Sequence, residues 1–180
     1  VTRDFPRPWT GPWVRPEIAP NWPGYDYYRP LVILSFGLDG LLWGQDPRGY
    51  HLTNLLLHAG CVALFYFIAL RLCSRTGRWG AAAATLIFAL HPVHEYSVLW
   101  LAGRTDLLCA AFYLAAVFSF LRARDGRTTW NLALATAFAA MAILSKEMAY
   151  SLPLVCAALH FIQGRPVDEQ DSKGCPARLL

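Results

Sequence analysis

HLTNLLLHAGCVALFYFIALRL, residues 51–72, is the stretch on which the fold turns. It carries no charge before Arg71, and SRTGR (74–78) closes it as a polar turn. As a helix rising about 1.5 Å per residue it is about 33 Å long, against roughly 30 Å of hydrocarbon in a bilayer. It therefore predicts a membrane span.

Working outward, the apolar run of about residues 79–101 is broken at His91-Pro92. Proline removes a helix hydrogen bond and disfavours helix at the residue before it, so this span should stop near His91, with a short re-entrant or surface helix after it. LLCAAFYLAAVFSFL (107–121), NLALATAFAAMAILS (131–145) and SLPLVCAALHFI (151–162) are shorter runs that flanking residues can extend. Small residues, Ala81 to Ala84, Ala110, Ala111, Ala115, Ala116, Ala139 and Ala140, let helices approach closely where lipid removes the hydrophobic effect. Upstream, LVILSFGLDGLLWG (31–44) is apolar but too short to span and contains Asp39, which suits an interfacial helix ending in Trp43. Residues 1–30 hold seven of the twelve prolines and three of the seven tryptophans without apolar periodicity, and read as a loop.

The expected fold is all-α: a multispanning transmembrane helix bundle of about five spans plus an interfacial helix. Residues 1–50 form an extracytoplasmic loop with that helix, 51–163 the bundle and 164–180 a polar cytoplasmic tail. The composition agrees, with 56% hydrophobic and 16% charged residues and a mean hydropathy of +0.32. Net charge is +4, but the basic residues are scattered between apolar runs, which excludes a nucleic-acid partner. Five cysteines without a C-x-x-C pair indicate neither a zinc site nor a disulfide framework. No signal region precedes the first loop, so Val1 is expected to lie inside a longer protein.

Arg71, Arg75 and Arg78 flank one turn, and Arg122, Arg124 and Arg127 another, which predicts that both face the cytoplasm. By alternation the HPVHEY turn, Arg104 and the Lys146-Glu147 turn share the opposite face.

Polar residues in apolar surroundings are the candidate site. His51, Asn54 and His58, spaced i, i+3, i+7, fall within an arc of roughly 60° on one helix face. They either hydrogen-bond between helices or line a polar cavity wall. His91 and His94, with Glu95, sit at the helix break, where capping, an anionic ligand or a metal are the alternatives; the spacing is not the H-E-x-x-H zinc pattern. Thr105 is expected to cap the helix beginning near Arg104, with Asp106 complementing its dipole. Arg104 and Asp106 can equally position a phosphate or accept a proton. Lys146 either neutralises a helix C-terminus or contacts a lipid-linked phosphate, beside Glu147.

YYRPL (27–31), GYHLTNLLLH (49–58), ALHPVHEYSV (89–98), GRTDLL (103–108) and LSKEMAYSLPL (144–154) together resemble the TMTC-type O-mannosyltransferase family and its bacterial relatives. These are multispanning GT-C glycosyltransferases that often carry tetratricopeptide repeats downstream. The resemblance covers about residues 27–163. It implies a GT-C-like core in the bacterial inner membrane or the endoplasmic reticulum. It also implies inverting transfer of a sugar, mannose foremost, from a polyprenyl-phosphate carrier to an extracytoplasmic acceptor, a protein hydroxyl or a glycan, with no cofactor required. In that scheme cationic residues hold the carrier phosphate. Arg29 lies in the Y-R-P motif, His91 and His94 in H-P-x-H, Arg104 and Asp106 in R-x-[DE], and Lys146 in the S-K or C-K-E motif, with Glu147 beside it a further candidate for the carrier-phosphate site. The sequence departs from the family in placing Glu95 directly after His94. The family's catalytic acid follows a first membrane helix expected to lie upstream of Val1, so the catalytic residue of this chain is unknown; neither Asp4 nor Asp26 is assigned the role, and Asp106 is a candidate. The alternatives are a transporter, a non-catalytic membrane module whose polar stripe locks helices together, or a truncated, inactive gene product.

Overall fold

In the computed structural model residues 29–72, 77–124 and 128–163 are described. The expected loop over residues 1–28, the tail from Gly164, Arg75 and Arg127 lie outside them.

Helix α1 (Pro30–Trp43) opens on a proline whose missing N–H no helix bond needs, and stops at Gly44, which adopts φ +59°. The Gly44 amide donates to the Gly40 carbonyl at 3.1 Å. Trp43 then lies against Gly49, where a Cβ would come within 2.2 Å of its indole. Asp46 accepts from the Arg48 amide at 3.0 Å and starts α2 (Pro47–Leu72), four residues ahead of the apolar run.

The break at His91 falls where proline predicts it. Helix α3 (Gly77–Leu90) ends and His91 is extended at φ −65°, ψ 127°. A 3-10 turn (Pro92–His94), the short α4 (Glu95–Leu99) and a second 3-10 turn (Leu101–Gly103) lead into α5 (Arg104–Ala123). The cap of α5 corrects the sequence reading. Gly103, not Thr105, occupies the N-cap position, and the Thr105 hydroxyl instead donates to the Ala102 carbonyl at 3.3 Å. Helix α6 (Thr128–Ser145) ends before Lys146, which is extended at φ −159°, ψ 143°. A 3-10 turn (Glu147–Ser151) turns the chain into α7 (Leu152–Gln163).

Helix α5 lies at the centre, between α2 and α6. Ile68, Val117 and Leu121 form its apolar contact with α2, joined by Val155 and Leu159 of α7. Cys109, Ala142 and Ala149 form a second core towards α6. Ala81, Ala116, Ala142 and Ala149 are wholly buried, as close helix approach requires. Large apolar side chains, among them Leu41, Trp79, Leu86, Ile87, Leu90 and Leu154, are exposed around the outside. In a water-soluble monomer such a surface is a liability; against lipid it is ordinary.

Two helical stretches, Pro47–Leu72 and Leu101–Ala123, are long and apolar enough to cross a bilayer. The other apolar helices expected to complete about five spans are shorter, because His91, Lys146 and the turns around them end each run early. All elements among the described residues are helical.

Candidate functional site

One end of the bundle collects the starts of α2 and α5 and the ends of α3 and α6. The guanidinium of Arg104 is its deepest group, with 0% of the side chain exposed. Its Nε donates to Asn54 Oδ1 and its Nη2 to the Tyr50 carbonyl, each at 2.8 Å. Nη1 faces Asp39 Oδ2 at 2.5 Å, an ion pair contributed by α1. The Phe36 ring lies 4.3 Å from the guanidinium carbon, a cation–π contact. Asn54 is also fully buried, and its amide reaches the Val98 and Trp100 carbonyls at 3.4 Å. Thr53 donates to Asp39 Oδ1 at 2.8 Å.

A second, more open set of charges lies beside it. Lys146 Nζ pairs with Asp106 Oδ1, and Arg29 Nη2 bridges both carboxylate oxygens of Glu147 at 3.1 and 2.9 Å. Asp106 and Glu147 keep 37% and 53% of their side chains exposed, so the cluster is within reach of solvent or a headgroup. The Glu147 carboxyl is held below the ordinary glutamate range by its own backbone N–H and then by the Arg29 guanidinium, with Lys146 adding to the effect. Two cations and two carboxylates, mutually paired, form a site whose cations can exchange a carboxylate for an incoming phosphate.

The histidines form a third group. His58 lies 5.3 Å and His91 6.3 Å from the His94 ring, and Phe88 packs on His94 at 4.7 Å. His91 Nδ1 accepts from the Val93 amide at 3.2 Å and so caps the 3-10 turn, while His58 Nε2 lies 3.3 Å from the Ala89 carbonyl. Among the described residues no three His, Cys, Asp or Glu side chains are grouped to hold a metal ion. His94 is held below its ordinary pKa by burial, then by His58 and His91, against a backbone hydrogen bond at Phe88.

The structure brings Arg29, Asp106, Lys146 and Glu147 together, and separately joins Asn54 to Arg104 and His58 to His94. His51 is exposed and makes no part of this wall. Sequence reasoning passed over Asp39 and Tyr50. The signal for Asp39 was present, as the lone ionisable residue of an apolar helix, and was used only to argue against a span. At the opposite end Arg71 and Arg122 lie over the Phe118 ring at 5.5 and 5.7 Å, so the C-terminal ends of α2 and α5 meet there.

Fold and site define a class: a helix bundle of membrane-protein composition with its paired charges gathered at one end. The chain belongs to the dolichyl-phosphate-mannose-protein mannosyltransferase family, whose profile matches residues 33–168. It is similar to protein O-mannosyl-transferase Tmtc1 of Drosophila melanogaster, at 37% identity over 145 residues, covering 81% of this chain and 16% of that protein. Human protein O-mannosyl-transferase TMTC3 is 34% identical over 160 residues, covering 77% of this chain and 17% of its own length. Tmtc2 of Drosophila melanogaster is 37% identical over 144 residues, covering 76% and 15%. The chain thus spans about one sixth of the length of these curated relatives. No solved structure matches it. The TMTC-type resemblance carried by the motifs stands.

Proposed function

We propose that this chain is part of a multi-pass membrane glycosyltransferase that moves mannose from a polyprenyl-phosphate carrier to a protein hydroxyl on the extracytoplasmic face. The observation that carries this reading is the half-open cluster of Arg29, Glu147, Lys146 and Asp106 at one end of an apolar bundle, in a chain of this family.

In an inverting displacement the acceptor oxygen attacks the anomeric carbon as the bond from that carbon to the carrier phosphate breaks. The leaving phosphate gains negative charge as the sugar departs, and the acceptor proton passes to a base. Lys146 and Arg29, released from Asp106 and Glu147, bind the carrier phosphate before the sugar leaves and keep hold of it as its charge grows, so their loss is felt first in donor KM. His91 and His94 flank the same end and can hydrogen-bond the phosphate or the sugar. Arg104 is committed to Asp39, Asn54 and Tyr50, so its part in this scheme is to hold the end of the bundle together. Within this chain Asp106 is the candidate base.

The arginines at the opposite end support a reading in which that end faces the cytoplasm and the cluster faces away from it. Helix α6, at 18 residues, is about 27 Å long, close to the hydrocarbon thickness, and in this reading α3 and α7 are further spans of the same bundle. No metal or cofactor is required. Full-length protein in proteoliposomes, given polyprenyl-phosphate mannose and an acceptor protein, should transfer sugar. Lys146→Ala should lower turnover at limiting donor by about 10-fold to 100-fold. Unchanged turnover in both Lys146→Ala and Arg29→Ala, or solute flux without transfer, overturns the reading.

A further inference from the structure

Two ion pairs tie helix α1 to the bundle, in addition to its packing against α2 and α6. At its head, Arg29 holds Glu147; ten residues on, Asp39 holds Arg104. At helical rise these points are about 15 Å apart. Val32, Phe36 and Asp39 recur at i, i+4, i+7 and face inward, while Leu34, Leu38 and Leu41 face out.

The two attachments are unequal. Glu147 is more than half exposed, and a pair of that kind holds weakly. The Arg104–Asp39 pair is shut away from solvent, and arginine cannot shed its charge to escape burial. Asp39 is the carboxylate that meets it. Thr53 fixes the Asp39 side chain from α2, and Phe36 lies over the guanidinium one turn away. The axis of α1 is therefore set at Asp39, and Arg29 rides at the end of the lever. A tilt of about 10° about Asp39 displaces Arg29 by about 3 Å, the length of its bonds to Glu147. Lys146, by contrast, follows α6 and pairs with Asp106 of α5, and the α5–α6 packing that joins them is far more extensive than the contact of α1 with either helix.

We infer that Asp39 is a positioning residue, which through Arg104 holds α1 so that Arg29 stays over the Glu147, Lys146 and Asp106 cluster where the carrier phosphate binds. This rests on the function proposed above. Losing Asp39 removes one of the two phosphate-binding cations and leaves the other in place.

The test uses the full-length protein in lipid nanodiscs. Spin labels go at Leu34→Cys, on the Arg29 side of Asp39, and Met148→Cys, both exposed positions, with the native cysteines replaced. Asp39→Asn should broaden a narrow label-to-label distance, and Asp39→Glu should narrow it again. In the unlabelled protein Asp39→Asn should raise KM for polyprenyl-phosphate mannose about tenfold while kcat changes less than about twofold, with Asp39→Glu restoring KM. Because Asp39→Asn strands a buried charge, the double variant Asp39→Leu with Arg104→Met replaces the pair by apolar packing. It should keep both the narrow distance and the native KM. An unchanged distance in Asp39→Asn, a displaced α1 with native KM, or a raised KM in a double variant whose α1 stays docked overturns the inference. If the native protein transfers no sugar, the functional reading falls, and the distances alone decide whether Asp39 positions α1.

Discussion

Arg104 of α5 and Asp39 of α1 face each other across an ion pair from which solvent is excluded on both sides, with 0% and 4% of the side chains exposed. Such a pair is weak evidence for stability, because taking two charges out of water costs about as much as their attraction returns. Breaking it is another matter. Arg104→Ala leaves Asp39 buried without its cation and should cost about 3–5 kcal/mol, whereas Asp39→Leu with Arg104→Met should be near neutral or stabilising. Denaturant unfolding in detergent measures both. A loss below about 1 kcal/mol for Arg104→Ala would mean that water or a neighbour already compensates Asp39.

Gly103 makes a separate, steric prediction. A Cβ there would sit 2.7 Å from the Ser97 Cα and carbonyl oxygen and 2.9 Å from the Tyr96 carbonyl, all backbone. Backbone cannot rotate aside, so Gly103→Ala should cost about 1–3 kcal/mol and loosen the entry into α5. Gly77→Ala is the control. At φ +59° with nothing within 4 Å of a new Cβ, it meets only the left-handed backbone penalty of about 1–2 kcal/mol. Amide exchange separates the two: Gly103→Ala should raise exchange over residues 97–106, and Gly77→Ala should leave that segment unchanged.

The helices were legible because their apolar runs are long and nearly free of charge. Runs of apolar residues of sufficient length, ended by proline or arginine turns, leave few other structures open. The His91-Pro92 break was legible for the same local reason. Lys146 and Asp106 were placed at one level by alternation of the helices, although pairing them needed the α5–α6 contact. What the sequence did not disclose was rotation. His51, Asn54 and His58 share a helix face, yet only packing against α5 and the Val98–Trp100 segment decides that Asn54 is buried and His51 exposed. Asp39 likewise finds its partner on a helix distant in the chain, and no local pattern encodes that contact.

The His94 cluster gives a pH dependence with a definite sign. Burial and the neighbouring His58 and His91 hold the folded pKa of His94 below its ordinary value, so the unfolded chain binds the proton more readily. Stability from this group is complete above the ordinary histidine value of about 6.5 and is lost as pH falls from there through the folded value. Glu147 behaves differently. Its carboxyl is lowered, so the pair with Arg29 persists beneath the ordinary glutamate range and fails only as pH falls through the folded value. At about pH 5 the segment from His91 to Leu99 should therefore show lower amide protection, relative to the intrinsic exchange rate at each pH, than at neutral pH, while the Glu147 turn should not. His94→Phe keeps a ring against Phe88 and should abolish the response; an unchanged pH slope in that variant would assign it elsewhere.

Asp106 can serve Lys146 or serve the acceptor, and the two roles move different constants. The geometry favours the first, because the carboxylate oxygen Oδ1 is engaged with the Lys146 ammonium. If Asp106 holds Lys146 in reserve, Asp106→Asn frees the cation for phosphate. KM for the donor should then fall, with kcat reduced by less than about tenfold. A general base removed from an inverting displacement lowers kcat by about 10²–10⁴-fold and leaves donor KM much as it was. Steady-state rates over a range of donor concentration, at saturating acceptor, separate these results. The expected pattern is a lower KM with a modest kcat loss in Asp106→Asn, and a raised KM in Lys146→Met. The double variant should match Lys146→Met, since a carboxylate whose task is to restrain Lys146 has nothing left to restrain. A kcat collapse in Asp106→Asn alone would instead make Asp106 the base.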